Sequence, residues 1–226
     1  MDLGGAEAHH LGRVLRVRVG ERVVLFDGLG NGISTEVVGV SKRVVQLRAL
    51  DVEPLAPLPR VRLRLAVGFP DRKRAQRMVE ALSELGAERL VPLICARGGS
   101  SPPRETLERW ALESAKQSGR NALLQIGDPL PLDALELAPD EEGWVADPEA
   151  EGWFADRLQQ PPPGALLVAV GPPGGFAPHE REGLLARGFQ AWRLASGVLR
   201  VETAAVSAAA CAVAGWPPRR GDGADA

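Results

Sequence analysis

The stretch Ala165-Leu166-Leu167-Val168-Ala169-Val170-Gly171-Pro172-Pro173-Gly174-Gly175 decides how the rest of the chain is read. Six consecutive apolar residues show no polar alternation, the pattern of a strand covered on both faces within a parallel sheet. The run stops at once in three glycines and two prolines, which predicts a stiff loop with no β-carbon at the points where a ligand would meet the backbone. In sheets of this kind ligands bind beyond the carboxyl ends of the strands. The loop lacks the Lys-Ser/Thr of a phosphate-binding P-loop, and taken alone a tight strand-to-helix turn explains it as well.

Working outward, a helix begins near Pro178-His179-Glu180, Gly188 ends it, and Ala191 to Leu194 returns as a strand. The loop Leu194-Ala195-Ser196-Gly197-Val198-Leu199-Arg200 then leads into an Ala- and Val-rich helix over Glu202 to Ala214, with residues after Trp216 expected to fray. Glu202 or Thr203 is read as the cap of that helix. Arg200 is the residue that capping does not explain, because a cation beside a helix amino terminus is electrostatically unfavourable. Before the opening stretch, Val61 to Gly68 reads as a strand, Asp71 to Leu85 as an amphipathic helix, Leu90 to Ile94 as a strand, Glu105 to Ser118 as a second helix and Gly143 to Asp147 as a short strand. Residues 60 to 216 thus form an α/β domain with a mostly parallel sheet. On the second helix, Arg109, Glu113, Lys116 and Arg120 share a stripe, read first as a surface salt-bridge ladder.

The first 59 residues differ. Short β-branched runs, including Val14 to Val19 alternating with Arg13, Arg16 and Arg18, predict a small antiparallel β domain. Gly28, Gly30 and Gly32 are followed by another strand and not by a helix, so they mark a hairpin turn and not a dinucleotide cradle. Three prolines between Glu53 and Pro59 read as a semi-rigid linker and domain boundary.

Composition limits the function. The chain has 226 residues, 45% hydrophobic and 25% charged, enough for a real core. No apolar run reaches the roughly 18 residues of a membrane span and the amino terminus lacks the features of a signal peptide, so a soluble cytoplasmic protein is expected. Cys95 and Cys211 form no CxxC, and His9, His10 and His179 have no ligand spacing, so neither a disulfide scaffold nor a metal site is expected. Residues 1 to 77 hold 14 basic and 8 acidic side chains, and the remainder 13 and 21, so a net charge of -2 divides into +6 and -8. The basic part is where a polyanion would bind. Arg72, Lys73, Arg74 and Arg77 crowd the start of a helix, where four cations cost stability unless phosphates meet them.

At this point the residues match a known pattern. Gly171-Pro172-Pro173-Gly174-Gly175-Phe176 with Glu180, followed by Leu199-Arg200-Val201-Glu202-Thr203-Ala204, resembles the two signature loops of the bacterial 16S ribosomal RNA uridine N3-methyltransferases of the SPOUT superfamily. Glu84-Leu85-Gly86-Ala87 with Pro92, Arg109-Trp110, Ala115 to Arg120 and His10 to Arg16 extend the resemblance over almost the whole chain. It implies a PUA-like β-barrel over residues 1 to 59 and a SPOUT-type α/β methyltransferase domain over 60 to 226, with a carboxyl-terminal trefoil knot over about 165 to 216. It further implies S-adenosylmethionine as cofactor, a homodimer, and 16S ribosomal RNA or the small ribosomal subunit as partner. Carried onto this chain, the cofactor site is Gly171, Pro172, Gly174 and Gly175, then Leu194, Ala195, Gly197, Val198 and Leu199, closed by Thr203 and Ala204. Arg13, Arg16, Arg72, Lys73, Arg74, Arg77 and Arg120 are the expected RNA contacts. The chain departs from the family at Pro173, where the loop usually carries Glu, at Ala195 in place of Gly, and at Ala81 in place of Lys.

The implied reaction gives Arg200 and Glu202 their expected roles. Methylation of uracil N3 needs its proton to leave, so Arg200 is expected to stabilise charge on a carbonyl oxygen, while Glu202 orients Arg200 or accepts the proton. Two readings from other classes compete: a non-catalytic RNA-binding or ribosome-assembly protein that keeps the fold, and a nucleotide-dependent oxidoreductase. The second lacks the strand-turn-helix glycine fingerprint and its acidic partner.

Overall fold

The computed structural model describes residues 1–53, 61–162 and 164–217. Residues 1–53 fall in one compact unit and 61–217 in another.

In the first unit, β1 (Asp2–Gly4), β2 (Arg22–Phe26), β3 (Gly32–Val40) and β4 (Val44–Glu53) form an antiparallel sheet in the order β1-β4-β3-β2. Two register shifts in β3, between Ile33 and Thr35 and between Val37 and Gly39, bend it. The turn joining β2 to β3 is the hairpin expected at the first glycine cluster; Gly28 and Gly30 have φ of 78° and 107° there, a region costly for residues with a β-carbon. Between β1 and β2, α1 (Gly5–His9) runs into a π-helical turn at His10–Val14. The strand expected over Val14 to Val19 does not form. The π-helical turn runs through Val14 and Arg16 has a φ of 55°, which breaks an extended run, and Val14, Leu15 and Val19 remain 60%, 57% and 65% exposed. Ala8, Leu11, Val37, Val45 and Leu47 make the small core. Of the Pro-rich linker only Glu53, the last residue of β4, lies among the described residues.

The second unit is a three-layer α/β domain. Its strands are β5 (Arg62–Gly68), β6 (Arg89–Ile94), β7 (Gln125–Ile126), β8 (Leu130–Pro131), β9 (Glu141–Ala146), β10 (Ala165–Val170) and β11 (Gln190–Trp192). They run in the order β11-β9-β10-β5-β6-β7, with β8 also on β6, and every pairing is parallel. All six residues of β10 are buried, as the unbroken apolar run requires. Leu166, Val168 and Val170 face one layer, which contains α2 (Arg72–Leu85), α3 (Arg104–Ser118) and α6 (Val201–Gly215). Leu167 and Ala169 face the other, with Leu184 of α5 (Pro178–Ala186) and Phe189. A one-turn helix, α4 (Phe154–Arg157), brings Phe154 edge-on to Trp144 at 4.5 Å, and Trp192 and Trp216 pack around the same ring.

Helix ends follow local chemistry. Asp71 caps α2 by accepting the Arg74 N–H, and Gly86 ends it at φ 80°. The tail expected to fray begins beyond Trp216, and residues 218–226 lie outside the described residues; Trp216 itself is buried, its indole N–H donating to Leu158 O at 2.8 Å.

Candidate active site

Register sets the site. Val170 pairs with Ala146 on one side and Val67 on the other, so β9 and β10 end level, and the loops leaving these two strands line one cleft, with Arg74 of α2 beside them. After β10 the chain turns sharply, with Gly175 N–H donating to Pro172 O at 2.7 Å. Gly174 and Gly175 have φ of 94° and 72°, and nothing stands within 4 Å of where their β-carbons would be, so their backbone is bare toward the cleft. Pro172 is seated between two further glycines: a β-carbon on Gly68 would lie 2.6 Å from Pro172 N, and one on Gly98 would lie 3.4 Å from Pro172 Cβ.

The facing wall is the loop after β11. Leu194, Ala195, Gly197, Val198 and Leu199 line the same cleft of about 550 Å³ as Gly171, Pro172, Gly174 and Gly175, and Ala204 closes it from α6. Thr203 is exposed and does not line it. Nor do Glu202 and Thr203 cap α6: the helix starts one residue earlier than expected, with Arg200 at the cap position and no side chain bonded to the first turn. Glu202 instead sits within the first turn, where a carboxylate meets the positive end of the helix.

The charged groups are placed as follows. Arg200 lines the cleft, exposed, and has no ion-pair partner among the described residues. The expected pairing of Glu202 with Arg200 gives way to another: Glu202 Oε1 lies 4.0 Å from Arg74 Nε, and Glu202 Oε2 is buried without a hydrogen bond among the described residues. Arg74 is turned into the cleft and away from a phosphate track, held by Asp71 at 2.6 Å. Buried Asp147, at the end of β9, accepts from Arg181 Nε at 2.6 Å, and both line the cleft. Glu180, quoted above only as part of a motif, accepts the Ala177 N–H at 2.7 Å and the Ala96 N–H at 2.6 Å, tying the loop after β6 to the start of α5. Arg97 in that loop donates to Gly174 O at 3.1 Å. Sequence reasoning missed Arg97, Asp147 and Arg181 because they carry no local motif; only the loop crossing reveals them.

The expected RNA contacts are dispersed. Arg72, Lys73 and Arg77 are exposed on α2, Arg72 over the Trp110 ring at 5.4 Å. The Asp71 cap supplies the anion that the cation-rich first turn needs. Arg120 is half-buried: its guanidinium covers Gly86, leaving no room for a β-carbon, its Nε has no partner among the described residues, and burial lowers its pKa. It packs at the end of α2. Arg13 and Arg16 are exposed on the first unit. Among the described residues no group of His, Cys, Asp and Glu is placed to hold a metal, and no helix is long and apolar enough to cross a membrane.

A parallel α/β domain whose glycine loops wall a cleft at the strand ends, preceded in the chain by a small antiparallel sheet, is the architecture of a two-domain α/β protein with a ligand cleft at its strand ends. Residues 56–213 match the family model of the RNA methyltransferase domain and residues 3–50 that of the RNA methyltransferase PUA domain, and the chain belongs to this RNA methyltransferase family. It is 30% identical over 219 residues to the ribosomal RNA small subunit methyltransferase E of Synechocystis sp., covering 90% of this chain and 69% of that one. It is also 30% identical to the protein of that name from Mycobacterium bovis, covering 90% and 82%. Among solved structures, the Neisseria gonorrhoeae ribosomal RNA small subunit methyltransferase E bound to S-adenosylmethionine superposes with a TM-score of 0.87 at 25% identity, over 96% of this chain and 92% of that one. A Legionella pneumophila methyltransferase in complex with the same cofactor gives 0.84 at 26% identity, over 95% and 91%.

Proposed function

We propose that this chain methylates N3 of a uridine in 16S ribosomal RNA, with S-adenosylmethionine as methyl donor, acting in the cytoplasm as a homodimer. The observation that carries the reading is the cleft, which has two bare-backbone loops as walls and an unpaired arginine, Arg200, exposed at its lining. Related structures crystallised with S-adenosylmethionine support the choice of donor. The trefoil knot over about 165 to 216 belongs to the same proposal, supported by membership of the RNA methyltransferase family.

The cleft fits the cofactor. Gly174 and Gly175 offer backbone polar groups with no side chain in the way, and Leu194, Leu199 and Ala204 give an apolar wall for an aromatic base. Bound there, S-adenosylmethionine supplies an electrophilic methyl group. The protein's own residues must then make N3 a nucleophile. That nitrogen carries a proton between two carbonyls, and charge appears on the carbonyl oxygens as the proton leaves. Arg200, unpaired at the lining, stabilises that charge. Arg74, held by Asp71 and facing Glu202, adds a second cation on the same side. Glu202 does not line the cleft, and it acts there through Arg74, which does. Exposed Arg72, Lys73 and Arg77, with Arg13 and Arg16 on the β domain, bind the RNA backbone.

The test is direct. Small ribosomal subunits from a strain lacking this gene, incubated with the protein and S-adenosylmethionine, should acquire one 3-methyluridine in 16S RNA by mass spectrometry, and calorimetry should show cofactor binding. Cofactor binding without any methylated uridine would leave a binding protein that keeps the fold.

A further inference from the structure

We infer that a second cleft, beside the first, is the seat of a phosphodiester of the substrate RNA next to the nucleotide being methylated; the inference rests on the RNA-methylating function proposed above. This cleft also measures about 550 Å³ and lies among the start of α2, the loop after β6 and the entry to α3. Arg97 and Pro173 line both clefts, so the two are adjacent across a single wall.

Its charge is unbalanced, and its cations are held in place by neutral partners. Arg97 is anchored on the Gly174 carbonyl, and Arg72 lies over the Trp110 ring at 5.4 Å. Neither has an ion pair among the described residues. Asp71, the carboxylate of the lining, is already engaged by the Arg74 backbone N–H and guanidinium. Two positioned guanidiniums without a counter-anion form a site for an anion with several acceptor oxygens. Ser100 and Ser101 on the rim add hydroxyl donors of the kind that contact phosphate oxygens, and α3 opens on the same cleft with no side chain capping its first turn.

The shared wall accounts for a feature of the sequence that the reaction does not use. At Pro173, where the resembled family usually carries Glu, a carboxylate would stand between the clefts and neutralise the arginines. Proline leaves the field positive. A cleft open to solvent and contiguous with the reacting site suits a chain threading past, so a backbone phosphate fits better than a free nucleotide enclosed on all sides.

Filter binding of labelled 16S ribosomal RNA across a salt series tests this, with S-adenosylmethionine affinity measured separately by calorimetry. Ser101→Glu, which touches only the second cleft, should weaken RNA binding about tenfold and lower the salt slope by about one, with cofactor affinity unchanged. Arg72→Gln and Pro173→Glu should weaken RNA binding in the same direction, and Arg72→Gln covers the case in which Ser101→Glu fails to fold. RNA affinity and salt slope equal to wild type in the folded variants would overturn the proposal, as would inorganic phosphate occupying the cleft without competing with RNA. Wild-type protein that binds the RNA in this variant-sensitive way but transfers no methyl group would overturn the methylating function and leave the phosphate site standing.

Discussion

The ring and backbone of Pro172 lie so close to Gly68 that a β-carbon at residue 68 would stand 2.6 to 2.8 Å from three Pro172 atoms. One end of a central strand thus fixes the height of the glycine-proline loop through an absence of side chain. Gly68→Ala must push the loop outward, at about 1 to 3 kcal/mol by analogy with overpacked cores. We expect a lowered melting temperature together with at least about tenfold weaker S-adenosylmethionine binding, equivalent to about 1.4 kcal/mol. Wild-type cofactor affinity in this variant would mean that the loop height is set elsewhere.

Arg200 separates binding from catalysis. If it stabilises charge that appears only as N3 loses its proton, Arg200→Ala should lower the single-turnover rate about 100-fold while cofactor affinity stays close to wild type. Arg200→Lys keeps the charge and loses the planar fork, so rescue should be partial. The wild-type rate should rise with pH as uracil deprotonates, and Arg200→Ala should need a higher pH to reach a given rate. An unaltered rate and pH profile in Arg200→Ala would make the residue structural.

The proposed homodimer is expected to pair through the Ala-rich helix α6, whose small side chains allow close approach, so its test depends on which face of α6 is mutated. Ala208 and Ala209 are fully buried within the protomer, so arginine there buries a charge and should prevent folding, with no bearing on association. Val206, Ala210 and Val213 form the half-buried outer face. Ala210→Arg should keep a wild-type circular dichroism spectrum and sediment as a monomer, whereas the wild type sediments as a dimer. A folded Ala210→Arg protein that remains dimeric would place the interface off this helix.

Cys95, just after β6, packs against the buried cluster that holds Leu184 and Phe189, and burial, with the nearby Glu180 carboxylate adding to it, pushes its thiol from an ordinary 9.0 up to about 12. The folded state favours the neutral thiol, so its contribution to stability is complete below about pH 9 and is lost as pH rises toward 12. In a Cys211→Ala background, alkylation of Cys95 at pH 8 should be far slower than that of an unstructured cysteine peptide and should accelerate steeply only above pH 9. Peptide-like labelling at pH 8 would contradict this environment.

The sequence by itself determined the elements with a strong local signal. The run Ala165 to Val170 had to be a central strand because no face of it is polar. The apolar stripe through Ala75, Met78, Val79, Leu82 and Leu85 located α2 to within a residue, and the glycine-proline loop after β10 marked one wall of the cleft. Where local patterns were weak, tertiary structure decided. Val14 to Val19 alternates well enough for a strand, but the chain enters it from a π-helical turn and Arg16 takes a φ of 55°, a backbone choice that local alternation does not reveal. The same holds for the charges. Spacing made Arg72, Arg74 and Arg120 equivalent candidates for phosphate, and the fold sent one over Trp110, one into the cleft toward Glu202 and one onto Gly86. A long cation's role depends on what lies within reach of its head, and those neighbours come from segments far away in sequence.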